Sequence, residues 1–219
     1  MIPTASPAAP LAGVHAGIQS HGLYLGRRQL FVRFAAEAET AVMYTPEALA
    51  NEIGRAIGRS SFHSIAIGGR DPLGNVEYLV AALDKRPPLP VLLDCDGHRP
   101  EAVEGIAKIV SVVQVTLDGV SAISEATQQL ALNTVSRAAE KHLGHALVLI
   151  ADERATDALL LRLVERAHGA SEETQIVLHP GQGVGLDRDK RWPVLLERAM
   201  AVHGDVRLLA RLPAPTGMR

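Results

Sequence analysis

The stretch VSVVQVTLDG, residues 110–119, is rich in valine, has no charged residue before Asp118 and ends in the turn dipeptide Asp118-Gly119. Such a run predicts a strand that is buried on both faces, as in a parallel sheet. The same pattern recurs along the chain in QLFVRFA (29–35), SIAIGG (64–69), LPVLLDC (89–95), HALVLIAD (145–152), TQIVLHP (174–180) and DVRLLA (205–210).

Longer stretches with helical patterns separate these runs. They cover residues 46–58, 75–85, 100–109, 127–143, 155–168 and 190–203. The alternation predicts an α/β fold, and we expect a partial (β/α)6 TIM-like barrel, because a complete eight-fold barrel typically needs about 250 residues. A doubly wound sheet is the alternative. Residues 1–12 (MIPTASPAAPLA) are expected to be a flexible leader, since proline and alanine offer little to pack, and residues 13–219 a single domain.

Composition argues against several classes of function. The net charge of -2 and the scattered basic residues give no electrostatic reason to expect binding to nucleic acid or to an anionic membrane. An aromatic content of 3% argues against a base-stacking surface. The sequence shows no signal peptide and no long apolar run, so a cytoplasmic protein without membrane partners is expected. Cys95 is the single cysteine, which rules out an intrachain disulfide and a cysteine-ligated cluster or structural zinc site.

Several motifs together resemble one enzyme family. The stretch GIQSHGLYLGRRQLFVRF (17–34) resembles the opening of the 7-carboxy-7-deazaguanine synthase branch of radical S-adenosylmethionine (radical SAM) enzymes, which has an I-Q-G-E-G-like turn and a strand ending F-V-R-F/L. IAIGGRDPLGN (65–75) is similar to the family's second strand and G-G-E-P-L motif. LLDCDG (92–97) and VQVTLDG (113–119) resemble its third and fourth strands, and VRLLARLPAPTGMR (206–219) its closing strand. The pieces follow the family's order, which implies the partial barrel of radical SAM enzymes.

The chain departs from the family where the chemistry takes place. Radical SAM enzymes hold a [4Fe–4S] cluster by a CxxxCxxC loop, but here the corresponding loop, AAEAETAVMYTPEAL (35–49), has no cysteine. The G-E-G of the first turn is Ser20-His21-Gly22. We therefore expect a cluster-less, non-catalytic radical SAM-like protein that serves as a binding or partner subunit in a cofactor, modified-nucleoside or natural-product biosynthetic pathway.

The resemblance also implies where ligands would bind. Gly68, Gly69, Arg70 and Asp71 are the expected cofactor-binding residues, with S-adenosylmethionine as the candidate ligand and Arg70 facing its carboxylate. A tight strand-to-helix turn explains the same glycine pair equally well. The carboxyl ends of barrel strands form the functional face, and the pocket candidates on this face are His21, Asp94, Cys95, Asp96, Asp118 and His179.

A second hypothesis is an enzyme that reuses the pocket without radical chemistry, by a polar S-adenosylmethionine-dependent reaction or by metal-dependent hydrolysis. The sequence has neither the HxH nor the HExxH spacing of metal-binding histidines, so no metal site is expected. The sequence has no G-x-S-x-G elbow, the motif that would indicate a nucleophilic serine. The stretch GQGVG (181–185) matches no phosphate-binding motif. The expected partners are a small-molecule or S-adenosylmethionine-like ligand, an active enzyme of the same pathway and, as in relatives, a second copy of the chain.

Overall fold

The computed structural model describes residues 8–181, 186 and 189–212, which contain a nine-stranded mixed sheet. Its strands are β1 (Ala9–Ile18), β2 (Arg28–Phe34), β3 (Val42–Tyr44), β4 (Ser64–Gly69), β5 (Val91–Cys95), β6 (Val112–Asp118), β7 (Gly144–Ile150), β8 (Gln175–His179) and β9 (Val206–Leu208). Their order across the sheet is β3-β1-β2-β4-β5-β6-β7-β8-β9. β1 is antiparallel to β2 and β3, and every neighbouring pair from β2 to β9 is parallel.

Helices connect the parallel strands. They are α1 (Pro46–Arg59), α2 (Val76–Leu83), α3 (Val103–Ile106), α4 (Glu125–Glu140), α5 (Asp157–Ala170) and α6 (Arg191–Met200). Threonine or serine side chains cap the first turns of α1, α4 and α5; Thr45, for example, accepts a hydrogen bond from Ala48 N. These helices lie where the sequence predicts them, although the segment predicted at 100–109 is reduced to a 3₁₀ turn followed by α3.

The hydrophobic core lies between the sheet and the helices. Alternate strand residues point toward the helix layer because side chains alternate between the two faces of a strand. Leu93, Val113, Val115, Leu147, Leu149, Ile176 and Leu178 belong to this core, together with apolar residues of all six helices. Burial of both faces explains why the strands read as continuous apolar runs rather than as alternating ones.

The strand order distinguishes the two predicted architectures. From β4 to β9 the strands follow one another in chain order without reversal, and β3 and β9 lie at opposite edges of an open sheet. A doubly wound sheet reverses its direction at a switch point, which this sheet does not do among the described strands. The α/β fold with an open, partial barrel is therefore confirmed. No helix in the described part of the chain is both long and apolar enough to cross a lipid bilayer.

One boundary from the sequence is wrong. Residues 9–12 were expected in a flexible leader, but they form the first part of β1, which pairs with both β2 and β3. Ala9 and Leu11 are buried, whereas Pro10 faces solvent. Pairing on both sides outweighs the weak strand propensity of proline and alanine. The rest of that leader (1–7), most of GQGVG (182–185) and the end of the tail (213–219) lie outside the described residues.

Candidate functional site

The face of the sheet opposite the helices, called the inner face below, carries the polar residues of the candidate site. The strand register places Asp94 of β5 beside Gln114 of β6, and Ile150 of β7 beside His179 of β8. The loop between β1 and β2, residues 19–27, lies against this face. Its ends are joined by Gln19 N donating to Arg27 O at 2.9 Å and Gly26 N donating to Gln19 O at 2.9 Å. The chain thus covers part of its own inner face.

His21 and Asp94, which the sequence predicts as pocket residues, are in direct contact. His21 Nε2 lies 2.9 Å from Asp94 Oδ2, and Thr116 Oγ1 donates to the other carboxylate oxygen at 2.6 Å. On the opposite side of the imidazole ring, Ser20 Oγ lies 3.3 Å from His21 Nδ1. Serine, histidine and aspartate therefore form one hydrogen-bonded chain across residues that are 73 positions apart in sequence.

His179 is buried and fixes the same loop from a different strand. Gly22 N donates to His179 Nε2 at 2.8 Å, so this nitrogen is unprotonated. The proton is therefore on Nδ1, which donates to Leu209 O at 2.6 Å. Burial lowers the pKa of His179 to about 4, and the neutral ring is the form that accepts from Gly22.

Gly22 and Leu23 complete the attachment of the loop. Leu23 N donates to Gln114 Oε1 at 3.0 Å, and the Leu23 side chain packs against Val148, Ile150 and Val177. Gly22 has a φ of +73°, and a Cβ at this position would lie 2.1 Å from Gln114 Oε1. Only glycine therefore fits between the loop and β6 without displacing Gln114.

Two cavities flank the end of β4. The inner pocket has a volume of about 190 Å³, and its lining includes Gln19, Ser20, His21, Phe31, Gly68, Gly69 and Asp94. The outer cleft has a volume of about 560 Å³, and it is lined by Gly69, Arg70, Asp71, Asp96, His98, Arg99 and Glu101. Drug-sized ligands occupy roughly 300–1,000 Å³, so the outer cleft has room for such a molecule and the inner pocket only for a smaller one.

Most charged residues of the outer cleft are already paired within the chain. Asp71 accepts from Arg99 Nε at 2.9 Å and from a second guanidinium nitrogen at 2.8 Å, and this contact holds the pKa of Asp71 below its usual value. Arg70 pairs with Glu37. Asp96 Oδ2 lies 2.7 Å from His98 Nδ1.

The predicted glycine pair has two different roles. Gly69 has a φ of +91°, and a Cβ there would lie 2.2 Å from Phe34 O. The close approach of β2 therefore accounts for Gly69 without a ligand. A Cβ on Gly68 would lie 3.5 Å from Asp94 O, which is an ordinary contact at the wall of the inner pocket.

Two further pocket candidates lie away from the inner pocket. Cys95 points toward the helices and belongs to the hydrophobic core, where burial raises the pKa of its thiol. Strand alternation explains this, because Asp94 and Cys95 are adjacent and must face opposite sides. Asp118 is exposed, and Arg211 lies 3.7 Å from it.

The residues present do not fit an iron–sulfur cluster. The loop after β2, residues 35–41, reads AAEAETA and has no thiol. Its Glu39 makes two contacts with Arg33, at 2.7 and 3.0 Å, and its Glu37 pairs with Arg70. A [4Fe–4S] cluster needs thiolates, and Cys95 is buried on the opposite side of the sheet. The described residues also contain no group of three or more His, Cys, Asp or Glu side chains that could hold a metal ion.

Comparisons with known proteins agree with the sequence resemblance. No model of a known protein family matches the chain. Over an alignment 122 positions long, which covers 50% of this chain, the sequence is 32% identical to 7-carboxy-7-deazaguanine synthase from Methanothermobacter thermautotrophicus. Half of the chain is homologous to this synthase. The matched part corresponds to 49% of the length of that enzyme.

Solved structures show the shared fold. QueE from Escherichia coli superposes with a TM-score of 0.61 at 14% identity, covering 94% of this chain and 95% of QueE. The predicted α/β fold with a partial barrel is thereby confirmed, because QueE shares this fold over nearly the whole chain. The apo form of 3-keto-D-glucoside 4-epimerase from E. coli gives a TM-score of only 0.40 at 16% identity, over 84% of this chain and 92% of that one.

The sequence-based prediction missed several of the polar residues on the inner face. It named His21, Asp94 and His179, but not Ser20, Gln19, Gln114 or Thr116. The departure of Ser20-His21-Gly22 from the family's G-E-G was the available signal for Ser20. For Gln114 and Thr116, alternation along β6 would have placed both side chains on one face.

Proposed function

We propose that this chain is a cluster-less radical SAM-like protein that does not carry out radical chemistry and acts as a binding or partner subunit in a biosynthetic pathway. The observation that carries the proposal is the loop 35–41, where the family resemblance calls for three thiolates. Its glutamates pair with Arg33 and Arg70 instead. Carboxylates are hard oxygen donors and do not replace the soft thiolates that a low-potential cluster requires.

Homology of half the chain to a 7-carboxy-7-deazaguanine synthase supports a place in modified-nucleoside, cofactor or natural-product biosynthesis. An active enzyme of the same pathway and a second copy of this chain are the proposed protein partners. The covered inner face supports a role in binding rather than in radical catalysis, because loop 19–27 occupies space in front of β5, β6 and β8.

Anaerobic reconstitution with iron and sulfide tests the proposal. We expect a colourless protein that produces no 5′-deoxyadenosine from S-adenosylmethionine and a strong reductant. The triple variant Glu37→Cys, Ala41→Cys, Tyr44→Cys restores a CxxxCxxC spacing and is the matched control for cluster uptake. A brown wild-type protein that cleaves S-adenosylmethionine overturns the proposal.

The second candidate is an enzyme that binds S-adenosylmethionine for a polar reaction. The size of the outer cleft, about 560 Å³, favours it, and binding of an amino acid group there would require Arg70, Arg99 and Asp96 to exchange their present partners. Calorimetry with S-adenosylmethionine is the test. Absence of heat at millimolar ligand removes Gly68, Gly69, Arg70 and Asp71 as binding residues.

A further inference from the structure

The inner pocket contains a constellation that the proposed function does not use. Asp94 is a carboxylate that only accepts hydrogen bonds, so His21 Nε2 donates to it across 2.9 Å. With the ring neutral, His21 Nδ1 is the acceptor nitrogen, and it faces the Ser20 hydroxyl at 3.3 Å. We propose that Ser20, His21 and Asp94 form a nucleophilic triad that hydrolyses esters of small acyl groups, an activity beyond the proposed binding role. Such triads are recognised by geometry and by the role of each group, not by position in the sequence.

The surroundings hold the three groups in place. Thr116 Oγ1 donates to Asp94 Oδ1 at 2.6 Å and fixes the carboxylate. Gly22 and Leu23, the next residues in the loop, are bonded to His179 and Gln114 through their backbone N–H groups. The serine and histidine are therefore held by contacts to three different strands. The distance of 3.3 Å between Ser20 and His21 is slightly long for a catalytic hydrogen bond, as is common in unliganded sites.

Gln19 supplies the group that such a reaction needs beside the nucleophile. It is only 2% exposed, it lines the inner pocket, and it directly precedes Ser20 in the chain. A side-chain amide donor is a common means of stabilising the oxyanion of a tetrahedral intermediate. The pocket of about 190 Å³ limits the acyl group to a few atoms, and Phe31, Ala66 and Ile67 give it an apolar wall.

The reaction balances without a metal or a redox partner. Ser20 Oγ attacks the ester carbonyl carbon, and its proton passes to His21 Nδ1. The bond between this carbon and the alkoxide then breaks, and His21 gives the proton to the leaving alcohol. Water attacks the acyl-serine with His21 as the base, which releases the carboxylic acid and regenerates Ser20. Asp94 acts through His21 as a positioning residue.

A second serine–histidine pair provides an internal contrast. His63 Nδ1 lies 3.0 Å from Ser64 Oγ, closer than the corresponding distance at Ser20. Ser64 is fully buried, its hydroxyl also contacts Gln29, and among the described residues His63 has no carboxylate partner. Of these two serines, only Ser20 combines a base, a carboxylate and a pocket, so Ser20 and not Ser64 is expected to react.

Labelling with a fluorophosphonate probe and mapping of the modified peptide test this contrast. The wild-type chain is expected to carry the label on Ser20 and none on Ser64, and His21→Gln is expected to abolish labelling. Absence of label, or label on another serine, overturns the proposal. The wild-type chain itself gives this result, so no variant has to fold for the test to be decisive.

Hydrolysis of p-nitrophenyl acetate gives the second measurement. Ser20→Ala and His21→Gln are expected to lower kcat/KM about 100-fold, whereas Ser61→Ala, at an exposed serine outside the pocket, leaves it unchanged. Asp94→Asn is expected to lower kcat about 10-fold or more with KM unchanged, while its circular dichroism and urea midpoint match those of the wild type, so that loss of structure does not account for the lower rate. A wild-type rate equal to that of Ser20→Ala overturns the triad. Neither the labelling nor the ester hydrolysis depends on 5′-deoxyadenosine formation. The triad and the proposed function can therefore each be contradicted without the other.

Discussion

The two loops that flank β2 are attached in different ways. Loop 19–27 lies on the inner face, where backbone N–H groups and His21 bond to three different strands. Loop 35–41 lies at the other end of β2 and is held by exposed ion pairs from Arg33 and Arg70. Exposed ion pairs contribute little to stability, whereas breaking a buried hydrogen bond leaves an unsatisfied group. Loop 35–41, which lacks cluster ligands, is therefore expected to tolerate substitution. Loop 19–27 is constrained by its buried hydrogen bonds.

The largest expected effect is at Gly69, the residue shared by the inner pocket and the outer cleft. Gly69→Ala would place a Cβ 2.2 Å from Phe34 O at a φ of +91°. Backbone strain and overpacking of about 1–3 kcal/mol each predict a loss of roughly 4 kcal/mol in the free energy of unfolding, measured by urea denaturation.

Gly68→Ala is the matched control, because its Cβ would make only a contact of 3.5 Å with Asp94 O. We expect a change below about 1 kcal/mol. Equal losses in the free energy of unfolding for Gly68→Ala and Gly69→Ala would show that the close approach of β2 is not the reason for a glycine at position 69.

The second-largest loss of stability is expected at Gly22 in loop 19–27, and Gly26 in the same loop provides the control. Gly22→Ala combines a φ of +73° with a Cβ 2.1 Å from Gln114 Oε1, and displacing Gln114 breaks its bond to Leu23 N. We expect a loss of about 3 kcal/mol in the free energy of unfolding.

Gly26 has a similar φ of +77°, but a Cβ there would have no atom within 4 Å. Gly26→Ala should therefore cost only the backbone strain, about 1 kcal/mol. If the two variants lose the same stability, the packing of the loop against Gln114 contributes nothing.

The third prediction concerns pH. His179 has a pKa of about 4 in the folded chain, against an ordinary value near 6.5, so its neutral form stabilises the fold fully above about pH 6.5. This contribution is lost as the pH falls through the window from about 6.5 to 4, because the unfolded chain then binds the proton more readily. Between pH 7 and pH 5 the wild-type chain should lose about 2 kcal/mol more stability than His179→Gln.

Comparison with His179→Gln isolates the contribution of His179 to the pH dependence. The pKa of His15 is also lowered by burial, but His15 is present in both proteins, so its contribution cancels. Identical pH dependence in the wild type and in His179→Gln would contradict a neutral, buried His179 that accepts from Gly22.

The smallest effect is expected in loop 35–41. Glu39→Gln removes the charge that pairs with Arg33 but keeps an oxygen that can accept from Ala36 N. Both partners are largely exposed, so the urea midpoint at pH 7 should stay unchanged within error. A clear loss of stability would mean that this loop is as constrained as loop 19–27.

Local sequence pattern predicted most of the fold. The apolar run 110–119 and the others like it fall on β2 and β4 to β9, and the capping residue Thr45 lies at the start of α1. β1 was missed, since the segment around Pro10 becomes a strand only by pairing with β2 and β3. The site was predicted less completely: His21 and Asp94 were named separately, but no local pattern indicated that two residues 73 positions apart would be in contact.

The sequence by itself determined the alternation of buried strands and helices and the absence of three thiols, because periodicity and residue identity are properties of neighbouring positions. Only the tertiary structure decided which polar groups meet on the inner face. His21 bonds to a residue 73 positions away, and Gly22 to one 157 positions away. Such contacts depend on strand order and on the face to which each side chain points, which no local pattern specifies.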